Sequence, residues 1–151
     1  MTENLMDKAK AAAHTLKLKV AGFNEILADS DRHEITARFK EKGEEKVEEI
    51  ILLLQKYKSV FKEAGYEIGG ITASVSIPPD ISISFKFLGS VDELKREEIK
   101  SQIIDDKMAV ILLNSLFKAS DYTEKIRVGD ISLKTINIKL GLIPSISVSF
   151  A

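Results

Sequence analysis

The sequence predicts an α+β fold, in which helices cover one face of an antiparallel sheet of four or five strands. The first observation is an internal echo between residues 73–85 (ASVSIPPDISISF) and residues 138–150 (IKLGLIPSISVSF), with five of thirteen aligned positions identical. The second is the alternation of apolar and small polar residues on both sides of the prolines in each copy. Because successive side chains of a strand point to opposite faces, this pattern is typical of hairpins with one buried face.

The chain is expected to form a single domain, since 151 residues are enough to build one hydrophobic core. We assign an N-terminal helix and a short strand to residues 1–43, a first helix–strand–strand unit to residues 44–89, and a second such unit to residues 90–151. The echo falls in the hairpins of both units, so we interpret the two units as an internal repeat that shares one sheet.

The N-terminal segment allows two interpretations. A helical stripe of apolar residues favours one amphipathic helix over residues 3–28. The alternation in residues 16–20 (LKLKV) and the glycine at Gly22 support the alternative, a helix to about His14 followed by a strand. Residues 33–40 (HEITARFK) also alternate, which predicts a short strand that ends at Lys42 and Gly43.

Two longer helices are predicted after this strand. Residues 44–64 carry an apolar stripe with glutamates in the first turns and lysines in the last, and Gly65 ends the helix. Residues 90–93 (SVDE) form a capping-box pattern with Ser90 as the N-cap. The second helix is expected to run to about Lys118, with a kink near Lys100 and Ser101.

Four strands follow these helices in pairs, at residues 68–77 and 81–88, then 125–142 and 145–151, with a turn at Gly129 and Asp130. Period-two alternation assigns one apolar face to them. The residues predicted to point into the core are Ile71, Ala73, Val75, Ile77, Ile81, Ile83, Phe85, Phe87, Ile136, Ile138, Leu140, Leu142, Ile146, Val148 and Phe150.

The opposite face of the predicted sheet is unusual because it is small, neutral and rich in hydroxyl groups. Exposed sheet faces more often carry long charged side chains, which discourage association. Such a face is either simply hydrated, packed against a second copy of the protein, or presented to a ligand such as a sugar. We take these residues as the candidate interaction face: Ser74, Ser76, Ser82, Ser84, Lys86, Asn137, Lys139, Ser147 and Ser149.

The last predicted strand, residues 146–151, has no charged side chain. At a sheet edge it could extend the sheet into a neighbouring subunit. If this strand lies in the interior of the sheet, it cannot extend the sheet into a neighbouring subunit.

Composition narrows the classes of function. The chain has 22 basic and 23 acidic residues, which gives no basic patch for nucleic acid. It has no cysteine and two histidines, His14 and His33, so we predict no catalytic site, no metal site and no cofactor. Without a long apolar run or a signal segment, we expect a cytoplasmic protein with no membrane span.

The sequence therefore favours a non-catalytic assembly module that self-associates through its sheet, with a dimer as the favoured oligomer and no identified protein partner. Its small polar residues lie outward, whereas an enzyme or a carrier needs several inside. The alternative is a carrier that binds an apolar ligand between the helix layer and the sheet. The residues expected to line that cavity are Tyr57, Phe61, Ile83, Phe85, Phe87, Phe117 and Phe150.

Overall fold

The computed structural model describes residues 16–19, 29–74, 78–123 and 129–151. The strands are β1 (Leu16–Lys19), β2 (Tyr66–Ser74), β3 (Asp80–Phe87), β4 (Leu133–Leu140) and β5 (Ser145–Phe150). The helices are α1 (Asp29–Lys56), α2 (Lys58–Glu63), α3 (Glu93–Gln102) and α4 (Lys107–Thr123). Helices and an antiparallel sheet within one chain confirm the predicted α+β class.

The sheet has the order β1-β5-β4-β3-β2, and every neighbouring pair is antiparallel. Register aligns Ile71 with Ile83, Ile83 with Ile138, and Ile138 with Ile146. Residues directly opposite each other in a sheet share a face, so these four isoleucines form one row across four strands.

One hydrophobic core lies between this face of the sheet and the helices. The sheet contributes the alternate residues of β3, β4 and β5, whose intervening residues are mostly half-buried. Buried residues of the helices include Ile35 and Leu54 of α1, Phe61 of α2, Ile99 of α3 and Leu112 of α4. Each such side chain contributes about 1.5–3 kcal/mol on burial, so this layer accounts for much of the stability of the fold.

The predicted strand at residues 33–40 is wrong, because α1 already begins at Asp29 and continues to Lys56. Ile35 and Phe39 are buried, whereas Ala37 between them is exposed. A spacing of four residues places Ile35 and Phe39 on the same side of a helix. The short sequence satisfies both the strand and the helix period, and packing against the core decides for the helix.

Gly43 lies inside α1 and does not end a strand. A Cβ atom at this position would approach the Cγ atom of Pro79 to 2.5 Å. The glycine therefore permits close contact between the helix and the connection from β2 to β3, at the usual cost of a glycine within a helix.

The favoured single helix over residues 3–28 is wrong at Leu16–Lys19, which form β1. Leu16 and Leu18 are in register with Phe150 and Val148 of β5, both of which are buried. The alternating sequence thus follows the strand interpretation at these four positions. The remaining residues of that predicted helix, His14 among them, lie outside the described residues.

The later helices follow the prediction with shifted boundaries. The helix predicted over residues 44–64 is interrupted at Tyr57, between α1 and α2. The second predicted helix is divided into α3 and α4, close to the kink expected at Lys100 and Ser101. The N-cap of α3 is Asp92, whose carboxylate accepts a hydrogen bond from the Lys95 amide at 2.8 Å, so the prediction of Ser90 as the cap is wrong. The predicted turn at Gly129 and Asp130 is confirmed.

An ion pair between a buried arginine and an exposed aspartate joins α3 to α4. Arg96 is only 7% exposed, and its two terminal nitrogens donate to the Asp121 carboxylate at 2.7 and 2.6 Å. The guanidinium also lies 4.4 Å from the centre of the Phe117 ring, a cation–π distance. The hydrogen bonds to Asp121 raise the pKa of Arg96 above its ordinary value.

Replacing Asp121 with alanine is expected to lower the free energy of unfolding by about 1.5–3 kcal/mol, because a buried guanidinium loses the carboxylate that accepts two of its hydrogen bonds. Arg96→Met removes the charge and keeps an apolar chain over Phe117, so its cost should be smaller. Urea unfolding of the two variants measures the difference. An Arg96→Met variant less stable than Asp121→Ala would contradict this reading of the pair.

A second polar contact joins the start of α1 to the start of α4. The Glu34 carboxylate accepts hydrogen bonds from Arg38, with Nε at 3.0 Å, and forms an ion pair with Lys107. The contact with Lys107 and then that with Arg38 hold the pKa of Glu34 below its ordinary value of 4.5.

Because the pKa of Glu34 is lower in the folded state, its contribution to stability is complete above the ordinary value of 4.5 and is lost as the pH falls through the lowered folded value. Glu34→Gln should therefore lose less stability than the wild type on acidification below that pH. Urea unfolding at neutral pH and across the acid range tests this. Glu41→Gln, at an exposed glutamate of the same helix, is the control and should behave as the wild type.

Candidate interaction surface

The hydroxyl-rich residues form three rows on the face of the sheet opposite the core. Register aligns Ser84 with Asn137 and Asn137 with Ser147. The flanking rows are Ser82, Lys139 and Ser145 on one side, and Lys86, Thr135 and Ser149 on the other. We call these nine residues the outer sheet face.

Most residues of the outer sheet face are half-buried. Ser82, Ser84, Asn137 and Ser147 are half-buried, and Lys86 and Lys139 are exposed. Ser149 is only 9% exposed, since its strand lies between β1 and β4. Lys139 lies 3.5 Å from the Asp80 carboxylate, and Lys86 is in register with Glu67 of β2.

Seven of the nine predicted interaction residues belong to the outer sheet face. Ser74 is in register with Asp80 at the end of β2, and Ser76 lies outside the described residues. Thr135 and Ser145 were not predicted as members of this surface. Each lies two residues before a predicted member, Asn137 or Ser147, and residues two apart on a strand share a face.

The C-terminal strand is not a sheet edge, because β5 pairs with β1 on one side and with β4 on the other. Residues 146–151 are therefore not in a position to extend the sheet into a neighbouring subunit. Among the described strands, β2 is the outermost at the opposite end of the sheet.

Part of β2 departs from the predicted core. Ile71 and Ala73 are in register with the buried residues Ile83 and Ile81, so they lie on the helix side as predicted. Both are nevertheless exposed, Ile71 to 39%. The prediction that they are buried is wrong, because the helix layer does not fully cover this end of the outermost strand; Val75 and Ile77 lie outside the described residues.

A groove of about 470 Å³ runs between α1 and the last residues of β2. Its apolar lining comes from Val47, Ile51, Ala73 and Pro79, and its polar lining from Ser74, Glu44, Glu45 and Glu48. We call it the edge groove. An apolar floor with an acidic rim suits a partner that brings apolar side chains and positive charge together.

The residues of the alternative ligand cavity lie in or against the core. Phe61, Ile83, Phe85, Phe117 and Phe150 are buried, and Tyr57 and Phe87 are half-buried. The rings of Phe61 and Phe85 are 5.7 Å apart. Tyr66 packs 6.0 Å from Phe87 and 5.8 Å from Phe117, and its hydroxyl lies 2.6 Å from the Ser120 hydroxyl. The space between the layers is thus filled by ring contacts at this point.

The next question is whether the described segments could hold a metal ion or a charged ligand. These segments hold no group of three or more histidine, aspartate or glutamate residues placed to bind a metal ion, and His33 is exposed on α1. A groove of about 330 Å³ beside α1 contains Arg38 and Lys46, but these cations pair with Glu34 and Glu49.

Of the helices described, none is both long and apolar enough to cross a membrane. Comparison of the chain with protein-family models, with curated proteins and with solved structures gives no significant match. A proposal about function therefore rests on the geometry of the described surfaces.

Proposed function

We propose that the protein is a non-catalytic assembly module that self-associates through its sheet. The observation that carries this proposal is the outer sheet face, where three rows of mostly short, half-buried polar side chains lie in register opposite the core. In β3, β4 and β5 the long charged residues of this surface, which usually keep such faces apart, are limited to Lys86 and Lys139. The flanking strands add Lys17 and Lys19 of β1, in register with Ser149 and Ser147, and Glu67 of β2, in register with Lys86.

The chemistry of the outer sheet face suits contact with a second sheet. Packed sheets lie about 10 Å apart, and short side chains allow that approach without displacement of bulky groups. Serine hydroxyls and the Asn137 amide each donate and accept hydrogen bonds, so two copies of the face can satisfy each other. Because the same surface serves both subunits, a two-fold dimer is the simplest assembly.

The carrier function is the second candidate. It is supported only by Tyr57 and Phe87, the two proposed lining residues that are half-buried. Native mass spectrometry of the purified protein distinguishes the two functions, since it reports subunit number and retained small molecules together. A dimer without added mass favours assembly, and a monomer with bound apolar ligand favours the carrier.

Ser84→Lys is the sharpest test of the outer sheet face. Ser84 is half-buried in the middle row, beside Asn137, so a lysine there adds bulk and a positive charge at the proposed contact. Like charges brought together across an interface cost several kcal/mol, so the dissociation constant should rise about 100-fold or more. Sedimentation velocity over a range of protein concentrations measures it.

Ser101→Lys is the matched control, because Ser101 is exposed on α3, away from the sheet. It should associate as the wild type does. Both variants should keep the wild-type thermal unfolding midpoint within a few degrees. A wild-type protein that remains monomeric at all concentrations would contradict the assembly function.

A further inference from the structure

We propose that the groove beside α1 binds a small carboxylate that carries a short apolar chain. This groove has a volume of about 330 Å³, and its lining comes from α1 and from the start of α4, all within the described residues. We call it the α1 groove. Small-molecule sites span about 300–1,000 Å³, so a ligand of this groove must be small. The site is separate from the outer sheet face and does not depend on self-association.

The first argument is the burial of Lys46. This lysine lines the α1 groove and is only 8% exposed. Its ammonium group pairs with Glu49, whose side chain is 59% exposed. An ammonium group donates up to three hydrogen bonds, and Glu49 accepts one of them. Because a buried charge has lost its contacts with water, a further acceptor in the groove is favourable. The ligand carboxylate therefore binds to Lys46 beside Glu49 and does not need to displace it.

The second argument is the charge of the lining. It contains three cations and two carboxylates, which are Arg38, Lys46, Lys56, Glu49 and Asp106. One positive charge is therefore in excess in the α1 groove. Glu34 pairs with Arg38 but also with Lys107, so this neighbouring carboxylate does not remove the excess. A ligand with a single negative charge balances the groove, whereas a cationic ligand would add to the excess.

The third argument is the apolar part of the groove. Ile50, Leu53 and Met108 contribute buried apolar surface, and Leu52 of the same lining is 64% exposed. Lys46, Ile50 and Leu53 are spaced by four and three residues, so they lie in one row along α1. A ligand whose carboxylate meets Lys46 can lay its apolar chain along this row and cover part of Leu52. Both parts of the ligand thus have a counterpart in the protein.

Hexanoate is the probe that tests this site in the wild-type protein. In a titration followed by ¹H–¹⁵N NMR, the amide signals of residues 46–56 and 106–108 should shift and saturate. Two further probes separate the contributions, since 1-hexanol has the chain without the charge and acetate has the charge without the chain. Each should bind about tenfold more weakly than hexanoate, or weaker still.

Variants of the two paired residues test the role of Lys46. Lys46→Met removes the ammonium group and keeps an unbranched side chain, so the dissociation constant for hexanoate should rise about tenfold or more. Glu49→Gln removes a negative charge beside the ligand carboxylate, so the dissociation constant should fall about twofold to fivefold. Glu48→Gln is the matched control, because Glu48 is exposed on α1 but lines the edge groove, and it should bind hexanoate as the wild type does.

Several outcomes would overturn the inference. One is 1-hexanol binding as tightly as hexanoate, and another is a folded Lys46→Met variant with wild-type affinity. If Lys46→Met does not fold, Glu49→Gln decides, because Glu49 is exposed and its replacement should leave the fold intact. A Glu49→Gln variant that binds hexanoate no more tightly than the wild type rejects the site. None of these variants alters the outer sheet face, so each outcome leaves the assembly function to its own test.

Discussion

The antiparallel pairing of β3 with β4 is the constraint on which the rest of the structure depends. It joins two hairpins that are separated in the chain by α3 and α4 into one continuous sheet. Its register aligns Ile83 with Ile138 on the core side and Ser84 with Asn137 on the outer side. A slip of one residue would place serines in the core and isoleucines in water, so the apolar residues hold the register. The same register that builds the core therefore builds the outer sheet face.

The helix layer follows from this sheet. With one apolar face to cover, α1 and α4 supply most of the buried helical residues, and short helices complete the layer. Charged side chains fix the helices at the rim, where Glu34 joins α1 to α4 and Asp121 holds Arg96. Partial exposure weakens the first contact. In the second contact only Arg96 is buried, so loss of Asp121 leaves a buried charge without its carboxylate, whereas loss of Arg96 leaves an exposed carboxylate in water.

Sequence patterns predicted local structure correctly where the apolar residues matched only one period, either that of a strand or that of a helix. The proline-separated Ile/Ser segments gave β3 and β5 to within about two residues at each end, the usual scatter of element boundaries. Residues 33–40 fitted two periods, and Ile35 and Phe39 adopt the helix because the core lies on their shared side. Strand order depends on contacts between distant segments, which no local pattern encodes. For that reason the face of Ile71 was predictable and its exposure was not.

Strand order also determines where the molecule remains open. At one end of the described sheet, β5 pairs with β1, a strand of four residues. At the other end, β2 continues for five uncharged residues beyond its bulge. Among the described residues, the helix layer covers the middle of the sheet and leaves Ile71 and Ala73 of β2 exposed. Strand order thus explains why Ile71 and Ala73 share a face with core residues and yet remain exposed.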